Sequence, residues 1–459
     1  MNLARTIGLA LVAAFALATL PAASIAAALA PLDSEEVAVA YLHVTQDYYK
    51  TTDPQRVLDG ARTGLLAMMQ HAKVAKPFVA PIKAGAGPDA DVRAVTRAIE
   101  AASKLSGAKV SSHLLAYSAM AGMLASVHDK YTVFLDPKAY AELNGDLTGS
   151  DFGGTGIVIG LDDATKLVSV SNVVPDGPAD KAGVRQDDLI VSIDGVSTKG
   201  LKLDKVSSRL RGKEGTNVVL QIQRDGAAIA PITITRAKIH QLSVYERMLP
   251  GTQIGYVQVS VFGSSTGAEM NAALERLQRD GARAIVMDLR ENGGGYLQAA
   301  LRVSSKFIPD GTIVSVEQRG SNIMTYDADD TAIPPLPLVV LVNGHTASAS
   351  EITSGAIQDN DAGTIIGTKT FGKGVVQNMW PLPDGSAIKV TIARYLTPHN
   401  RDINHKGITP DIVVNEPPKS VLGDPKKDAQ LAKAIDFLSD RLAKLSVNNT
   451  PVPEAGSNK

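Results

Sequence analysis

A serine-rich turn and an isolated lysine lie in the later part of this sequence. The turn reads TASASEI from residue 346, and Lys373 lies within FGKGVVQ. A serine hydroxyl attacks a peptide carbonyl efficiently when a neighbouring base takes its proton. A lysine supplies that base when burial favours its neutral form. The flanking residues include Phe371, Val375 and Val376 and no acid. The pattern therefore predicts a serine nucleophile with a lysine base.

Gln377 lies just beyond this lysine in the sequence. Side chains on a strand repeat every second residue, so an extended chain over 373–377 would place Lys373 and Gln377 on one face. The amide of Gln377 would then orient the lysine, as an aspartate orients the histidine of a serine triad. We therefore expect Gln377 to belong to the catalytic group.

Three serines are candidates for the nucleophile: Ser348, Ser350 and Ser354. The apolar run PLVVLVNG before them predicts a buried strand, and the residues after the turn predict a helix. A serine at that helix start lies at the positive end of the helix dipole, which stabilises negative charge on its oxygen. The alternative is that all three serines cap the helix and do no chemistry.

A run of glycines follows a second predicted buried strand, AIVMDL. The segment DLRENGGG covers residues 288 to 295. Consecutive glycines allow backbone N–H groups to approach a reacting carbonyl closely, and such groups form an oxyanion hole. Asp288 and Arg290 in the same segment predict a local ion pair that supports the turn. We therefore expect the glycines to stabilise negative charge next to the nucleophile.

The stretch GTKTFGKG, residues 367 to 374, raises a different possibility, because it is one residue short of a phosphate-binding P-loop. Gly374 stands where a serine or threonine would hold magnesium, and VVQNMWPLP after it predicts a strand instead of the required helix. We therefore expect no nucleotide, no metal and no other cofactor. His345, His399 and His405 leave a Ser/His/Asp enzyme open, although no spacing supports one.

Taken together, these motifs resemble those of the C-terminal processing peptidases, also called tail-specific proteases. TASASEI, FGKGVVQ and DLRENGGG match family motifs, as do RYLTP and INHKGITPDI downstream, over roughly residues 34 to 415. The resemblance implies a serine endopeptidase with a crotonase- or ClpP-like α/β core. By this resemblance Ser348 is the nucleophile, Lys373 is the base and Gln377 orients the base. The backbone amides of Gly294 and Ala349 would form the oxyanion hole.

From residue 150 to 236 the pattern changes to short strands with few helices. The resemblance implies that this module is a PDZ domain. Its turn GGTGI would bind a terminal carboxylate through consecutive backbone amides, and the adjoining strand would pair with the peptide. The residues expected to bind the tail are Gly154, Thr155, Gly156 and Ile157. An ordinary glycine turn is the alternative. If the protease core were catalytically inactive, the alternative function would be a scaffold that binds protein C-termini through the PDZ domain.

The chain is expected to be a multidomain α/β protein. Beyond residue 250, predicted strands alternate with amphipathic helices, which implies a sheet covered by helices. The patterns divide the chain into a signal peptide, an N-terminal helical region, the PDZ domain, the protease core, and a C-terminal helix with a disordered polar tail. We place these segments at residues 1–30, 31–149, 150–236, 237–415 and 416–459.

The composition excludes several other classes of protein. The 459 residues carry 46 basic and 47 acidic side chains, and this net charge of −1 gives no sign of nucleic-acid binding. The absence of cysteine excludes cysteine nucleophiles, zinc–thiolate sites and disulfides. Expected partners are protein or peptide substrates with free C-termini, and a homo-oligomer or an adaptor protein is a further option.

The N-terminus has the parts of a secretory signal. Arg5 precedes the apolar run IGLALVAAFALATL, and Pro21 and a string of small residues follow. Cleavage is expected between Ser24 and Ala30, which predicts an exported, periplasmic protein with no membrane span after signal removal. The alternative is an uncleaved, membrane-associated anchor, because the apolar segment is long enough to cross a bilayer.

Overall fold

The computed structural model describes residues 32–149, 151–162, 165–174, 177–240, 242–417 and 420–448. The predicted signal peptide (1–30) and the end of the predicted tail (449–459) lie outside the described residues. The chain forms two compact units. The first combines the residues up to 144 with those from 244 onward, and the second is Gly145–Ser243.

The first unit begins with the helical region that the sequence predicts. Its elements are α1 (Leu32–Leu42), a π turn (His43–Asp47), α2 (Pro54–His71), α3 (Pro88–Ser106), a 3-10 turn (Gly107–Lys109), α4 (Ser112–Ala125), strand β1 (Val133–Leu135) and most of α5 (Pro137–Thr148), whose last residues belong to the second unit. The side chains of Asp53 and Ser111 cap α2 and α4 by accepting first-turn N–H groups. Leu58, Leu65 and Met120 are among the fully buried residues of this layer.

The second unit is rich in short strands and has its own apolar core. Its elements are β2 (Asp151–Gly154), β3 (Ile157–Leu161), β4 (Val168–Val173), α6 (Pro178–Lys181), β5 (Leu189–Ile193), β6 (Val196–Ser197), α7 (Leu203–Leu210), β7 (Asn217–Arg224), β8 (Ala227–Ala228), β9 (Ile232–Thr235) and β10 (Ala237–His240). Strands β3 to β9 form one sheet with β3 at its edge, and β2 pairs with β10. Helix α7 packs against β3.

A six-stranded sheet forms the centre of the α/β core in the first unit. Its strands, in order across the sheet, are β11 (Val244–Met248), β12 (Ile254–Val259), β13 (Ala284–Asp288), β16 (Leu338–Val342), β17 (Thr364–Gly367) and β20 (Ile412–Val413). All neighbours are parallel except β11 and β12. Strands β13 and β16 are buried along their whole length, as expected for parallel strands that are covered on both faces.

Helices and a second sheet cover this central sheet. The remaining elements are α8 (Thr266–Arg279), α9 (Leu297–Ser305), β14 (Thr312–Gln318), β15 (Ile323–Asp327), α10 (Ala349–Asp359), β18 (Val375–Pro381), β19 (Ala387–Leu396) and α11 (Ala429–Asn448). Ile285 and Val340 face the core formed with α8, α9 and α10, whereas Val286 and Val339 face α11. Strands β1, β14, β15, β18 and β19 form the second sheet.

Among the described residues, no helix is long and apolar enough to cross a bilayer.

Candidate active site

Ser348 lies where the path from strand β16 turns into helix α10. All five residues of the strand are buried, and Ser348 directly precedes the first helical residue, Ala349. Ser348 has φ of +59° and ψ of −116°. A positive φ is uncommon for a serine, and such backbone persists where the surrounding structure enforces it. The turn therefore presents Ser348 at the positive end of the α10 dipole.

The two competing serines are committed to structural hydrogen bonds. The hydroxyl of Ser350 donates to the carbonyl of Asn292 at 3.0 Å, and that of Ser354 donates to the carbonyl of Ser350 at 2.7 Å. Both residues are fully buried, whereas Ser348 is partly exposed. Of the three candidates, Ser348 is the one that a substrate can reach.

Glu351, in the first turn of α10, connects Ser348 with Lys373. Its buried carboxylate accepts hydrogen bonds from the N–H of Ser348 at 2.9 Å and the N–H of Lys373 at 2.8 Å. The N–H of Gly372 and the hydroxyl of Thr370 also donate to it, at 2.7 and 2.5 Å. Burial raises the pKa of Glu351, and these donors oppose the shift by stabilising its charged form. The carboxylate thus connects the serine turn (residues 343–348, between β16 and α10) with the lysine loop (residues 368–374, between β17 and β18).

Tyr395, on strand β19, connects the same two residues through their carbonyl groups. Its hydroxyl lies 2.6 Å from the carbonyl oxygen of Lys373 and 3.1 Å from that of Ser348. Burial raises the pKa of Tyr395 well above its usual range, so the hydroxyl keeps its proton and donates. Glu351 therefore binds the backbone N–H groups of Ser348 and Lys373, and Tyr395 binds their backbone carbonyl groups.

The surroundings of Lys373 disfavour its charged form. Burial, reinforced by the positive charge of Lys389, lowers the pKa of Lys373 to about 8, although nearby carboxylates act in the opposite direction. The Nζ atom lies 4.9 Å from the centroid of the Tyr131 ring. Val375 is buried as the sequence suggests, but Phe371 is 46% exposed and contributes less to the apolar surroundings. A lysine in this position can act as a base near neutral pH.

Gln377 lies on strand β18, and the argument from the sequence depended on a continuous strand from Lys373 to this residue. The strand begins at Val375, and its register against β19 shifts between Val376 and Gln377. Such a bulge interrupts the alternation of side chains on which that argument depended. The Nε2 of Gln377 donates to the carbonyl of Val375 at 3.1 Å. A continuous strand over 373–377 is therefore not present, and the shared face of Lys373 and Gln377 and the role of Gln377 stay predictions.

The glycine run after β13 packs against the serine turn. Gly294 has φ of +101°, and a Cβ there would lie 2.7 Å from the Cβ of Ser348 and 2.9 Å from the nitrogen of Ala349. Only glycine permits this approach. The N–H of Ala349 belongs to the first helical residue and has no carbonyl partner within the helix. The N–H of Gly294 donates to Asn292 Oδ1 at 2.9 Å, so an oxyanion would have to displace that oxygen.

Asp288 and Arg290 form the expected ion pair, within a larger buried network. The Nη2 atom of Arg290 lies 2.6 Å from Oδ2 of Asp288 and 2.6 Å from Oδ2 of Asp428. Its Nη1 atom lies 3.6 Å from Oε2 of Glu416. Asp428 immediately precedes α11, so the network anchors the start of the glycine run to the C-terminal helix. No local pattern in the sequence indicates this contact.

The three histidines considered from the sequence take other positions. His345 is exposed, and its backbone N–H donates to Oδ1 of Asn343 at 3.0 Å. The Nδ1 atom of His399 lies 3.6 Å from Oδ1 of Asp359. The backbone N–H of His405 donates to the carbonyl of Gly372 at 2.8 Å. Within the described part of the chain, no histidine side chain is hydrogen-bonded to the candidate nucleophile.

A cavity of about 650 Å³ adjoins the lysine loop. Val375 contributes to its wall from the α/β core, and the helical region supplies aromatic and charged side chains. Those side chains include Tyr48, Arg56, Asp129 and Tyr131. Sequence reasoning missed this lining because its residues come from segments far from the serine and lysine motifs.

The glycine-rich turn of the second unit connects β2 with β3. The carbonyl of Thr155 accepts a hydrogen bond from the N–H of Ala179 at 2.9 Å, and that of Gly156 accepts one from Val174 at 2.8 Å. In a trans peptide the N–H points opposite to the preceding carbonyl. The N–H groups of Gly156 and Ile157 therefore face away from these partners. Gly156 has φ of +77°, which favours glycine.

Gly154 and Thr155, the other two predicted tail-binding residues, are less accessible to a bound peptide. Gly154 ends strand β2 and is opposite Ala237 in the pairing with β10. The residue Thr155 is only 2% exposed, so its side chain lies inside the unit. Edge strand β3 begins directly after the turn, at Ile157. Gly156 and Ile157 are therefore the better placed of the four.

Comparisons with known proteins reveal two matching families. Peptidase family S41 matches residues 253–414, and a PDZ domain matches residues 169–224. The carboxyl-terminal-processing protease of Synechocystis sp. is 38% identical over 71% of this chain and 78% of that protein. The carboxy-terminal processing protease CtpB of Bacillus subtilis is 33% identical over 77% of this chain and 75% of that protein. A solved photosystem II D1 C-terminal processing protease is 29% identical, with a TM-score of 0.46, over 86% of this chain and 96% of that one.

A helix-covered α/β core and a PDZ domain in one chain define a PDZ-containing peptidase. The chain belongs to the carboxyl-terminal-processing proteases of peptidase family S41. The resemblance recognised in the sequence motifs is thereby confirmed, as is the mixed α/β fold with an N-terminal helical region.

Proposed function

We propose that this chain is a serine endopeptidase in which Ser348 is the nucleophile and Lys373 is the general base. The observation that carries the proposal is the double connection between these residues. Glu351 accepts hydrogen bonds from both of their N–H groups, and the hydroxyl of Tyr395 contacts both of their carbonyls. A reaction between two side chains is fast when their backbones are held in one fixed arrangement.

In the proposed first step, neutral Lys373 takes the hydroxyl proton of Ser348 while the serine oxygen attacks the scissile carbonyl carbon. With a pKa of about 8, roughly a tenth of the lysine is neutral at pH 7. The resulting ammonium gives its proton to the leaving amine as the C–N bond breaks, which leaves an acyl-serine. A water molecule, deprotonated by the same lysine, then hydrolyses the acyl-serine and restores both residues.

Two backbone amides would stabilise the oxyanion formed in each step. The N–H of Ala349 lies at the positive end of α10, and the N–H of Gly294 becomes available once the oxyanion displaces Asn292 Oδ1. Loss of one such donor typically lowers kcat by ~10²- to 10³-fold. We assign the orientation of Lys373 to Gln377, whose amide would turn from the carbonyl of Val375 to do so.

The second unit would bind the C-terminal tail of a protein substrate. Strand β3 lies at the edge of its sheet, so an extended peptide can add beside it, next to α7. The N–H groups of Gly156 and Ile157 would receive the terminal carboxylate, with the turn residues Gly154 and Thr155 holding their backbone in place. No metal or other cofactor takes part in this proposed chemistry.

We also propose export from the cytoplasm, on the basis of the N-terminal sequence alone. Mature protein from a native-like host should begin between about Ser24 and Pro31. N-terminal sequencing measures this directly. Recovery of membrane-bound protein that begins at Met1 or Asn2 would contradict the proposal.

Turnover of one peptide substrate by four variants tests the serine–lysine pair. We expect Ser348→Ala and Lys373→Ala to lose ~10⁴-fold or more in kcat. Lys373→Arg should be equally inactive, because a guanidinium group cannot give up its proton at working pH. His345→Ala should keep most of its activity. An active Lys373→Arg protein, or a folded but inactive His345→Ala protein, would refute the assignment.

A catalytically idle scaffold is the competing function. A scaffold would bind substrate tails through the second unit but would leave a denatured protein uncut. Purified wild-type protein should instead degrade a denatured substrate, and Lys373→Ala should bind the same tail without cutting it. Equal, negligible hydrolysis by both proteins, with tail binding intact, would favour the scaffold.

A further inference from the structure

Three side chains with metal-ligating atoms converge in the first unit, and the proposed peptidase chemistry uses none of them. They are Glu36 on α1, His113 on α4 and Asp384 in the turn between β18 and β19. One ligand atom from each residue lies within 4.8 Å of the other two. Histidine nitrogen and the carboxylate oxygens of Asp and Glu are all ligands that zinc accepts.

The spacing of two of these atoms suits a shared ion better than a direct ion pair. The Nε2 atom of His113 lies 3.4 Å from Oδ2 of Asp384. A charge-assisted hydrogen bond between such atoms is usually ~2.7 to 2.9 Å long. Ligand atoms placed ~2.0 to 2.1 Å from a tetrahedral zinc ion are instead roughly 3.3 to 3.4 Å from one another. The pair is therefore already at the separation that zinc requires.

Neighbouring groups fix the orientation of the Asp384 carboxylate. The N–H and the hydroxyl of Ser386 donate to Oδ1 of Asp384, at 2.9 and 2.7 Å. The hydroxyl of Tyr117 donates to Oδ2, the oxygen that faces His113. Metal-binding carboxylates are typically held by outer hydrogen bonds of this kind, which fix the direction of the ligand.

Glu36 supplies a carboxylate from a fully buried position. Together with Asp384 it brings two carboxylates to the cluster, against the one imidazole of His113. A divalent cation bound by a neutral imidazole and two carboxylates gives no net charge, which reduces the cost of burying the group.

We propose that Glu36, His113 and Asp384 bind a divalent transition-metal ion, with zinc preferred because imidazole is one of the ligands. The ion would connect helices α1 and α4 to the β18–β19 hairpin, which directly follows Lys373 and carries Gln377. Its role is structural: an ion that binds only the folded chain stabilises it, and more so when it joins segments distant in sequence.

Titration of ZnCl₂ into metal-free full-length protein tests the site. We use the Ser348→Ala protein, so that self-cleavage does not interfere and the result does not depend on the proposed peptidase activity. Calorimetry should show saturable binding of about one ion per chain, and the melting temperature should rise by several degrees with zinc. Chelator should reverse the rise. Absence of saturable binding would overturn the proposal and leave an ion-pair cluster.

Variants assign the binding to these residues. His113→Gln and Asp384→Asn should weaken zinc binding more than ~10-fold and abolish the thermal shift. His71→Gln, which changes an exposed histidine at the end of α2, is the matched control and should bind as before. Tyr117→Phe keeps all three ligands and should weaken binding by ~10-fold, which gives a second test if a ligand variant fails to fold. Unchanged binding in the folded His113→Gln or Tyr117→Phe protein would overturn the site.

Discussion

The serine–lysine region and the glycine-rich turn of the second unit hold their backbones by different means. Buried side chains, Glu351 and Tyr395, position the backbone of Ser348 and Lys373. Backbone hydrogen bonds position the turn at Gly156, beside an edge strand. Bond cleavage needs two side chains held within about half an ångström of their productive positions, whereas tail binding needs a backbone edge that accepts many sequences. Chemistry and recognition should therefore fail separately when each support is removed.

Among changes outside the serine–lysine pair itself, Glu351→Gln should have the largest effect, because it removes part of the support of both backbones. Each carboxylate oxygen of Glu351 accepts two of the four hydrogen bonds, and glutamine replaces one of these oxygens with an NH₂ group. Two buried donors therefore lose their acceptor, which weakens the connection between the serine turn and the lysine loop. We expect kcat/KM to fall by ~10²- to 10³-fold while binding of a tail peptide is unchanged. Glu275→Gln, at an exposed position on α8, is the matched control. Near-normal turnover by folded Glu351→Gln would contradict the supporting role.

The next largest effect is expected from pH, which should change peptide cleavage at the serine–lysine region but not tail binding by the second unit. Lys373 has a lowered pKa of about 8 and acts as a base only when neutral, so kcat/KM should fall ~10-fold per pH unit below pH 8 and level off above it. Lys389→Met removes a neighbouring positive charge, which favours protonated Lys373 and should move the midpoint upward. Binding of a tail peptide should not follow this profile, because backbone amides do not titrate. A flat rate profile from pH 6 to 9 argues against a lysine base.

Amidation of the substrate's C-terminus should affect recognition alone. The amide removes the charge that the N–H groups of Gly156 and Ile157 would receive, so binding should weaken by ~10-fold or more. Fluorescence anisotropy with the Ser348→Ala protein measures binding without cleavage. For the active protein, the loss should appear in KM and leave kcat nearly unchanged. Equal affinity for the acid and amide peptides would remove the turn from tail recognition.

The smallest effect is expected from Tyr395→Phe. This change removes one buried hydroxyl from the carbonyls of Lys373 and Ser348 but keeps the ring in the core. A single hydrogen bond contributes about 1 kcal/mol, so kcat should fall roughly 5-fold, with a modest decrease in melting temperature. Comparing the loss of kcat in Tyr395→Phe with that in Glu351→Gln shows which of the two side chains contributes more to positioning Ser348 and Lys373. A larger loss from Tyr395→Phe than from Glu351→Gln would reverse the expected order of the two effects.

The candidate chemistry was predictable from sequence where it depends on local order. A buried strand, a turn of small residues and a helix placed one serine of TASASEI at a helix start, and the structure puts Ser348 there. The same pattern could not separate Ser348 from Ser350, because the difference depends on the distant carbonyl of Asn292. The break in the strand before Gln377 was unpredictable for a related reason: a register shift against β19 cannot be read from the strand's own residues.

By itself, the sequence determined the family, the mixed α/β class, the PDZ module and the exclusion of cysteine chemistry, since these follow from local motifs, periodicity and composition. Only the tertiary structure decided which groups support the site. Glu351 contacts Lys373, which is 22 positions away in the sequence. Tyr395 contacts Ser348 over 47 positions, and Arg290 contacts Asp428 over 138 positions. Such contacts arise when strands and helices pack, because a short buried hydrogen bond depends on the final position of both partners and not on the sequence around either one.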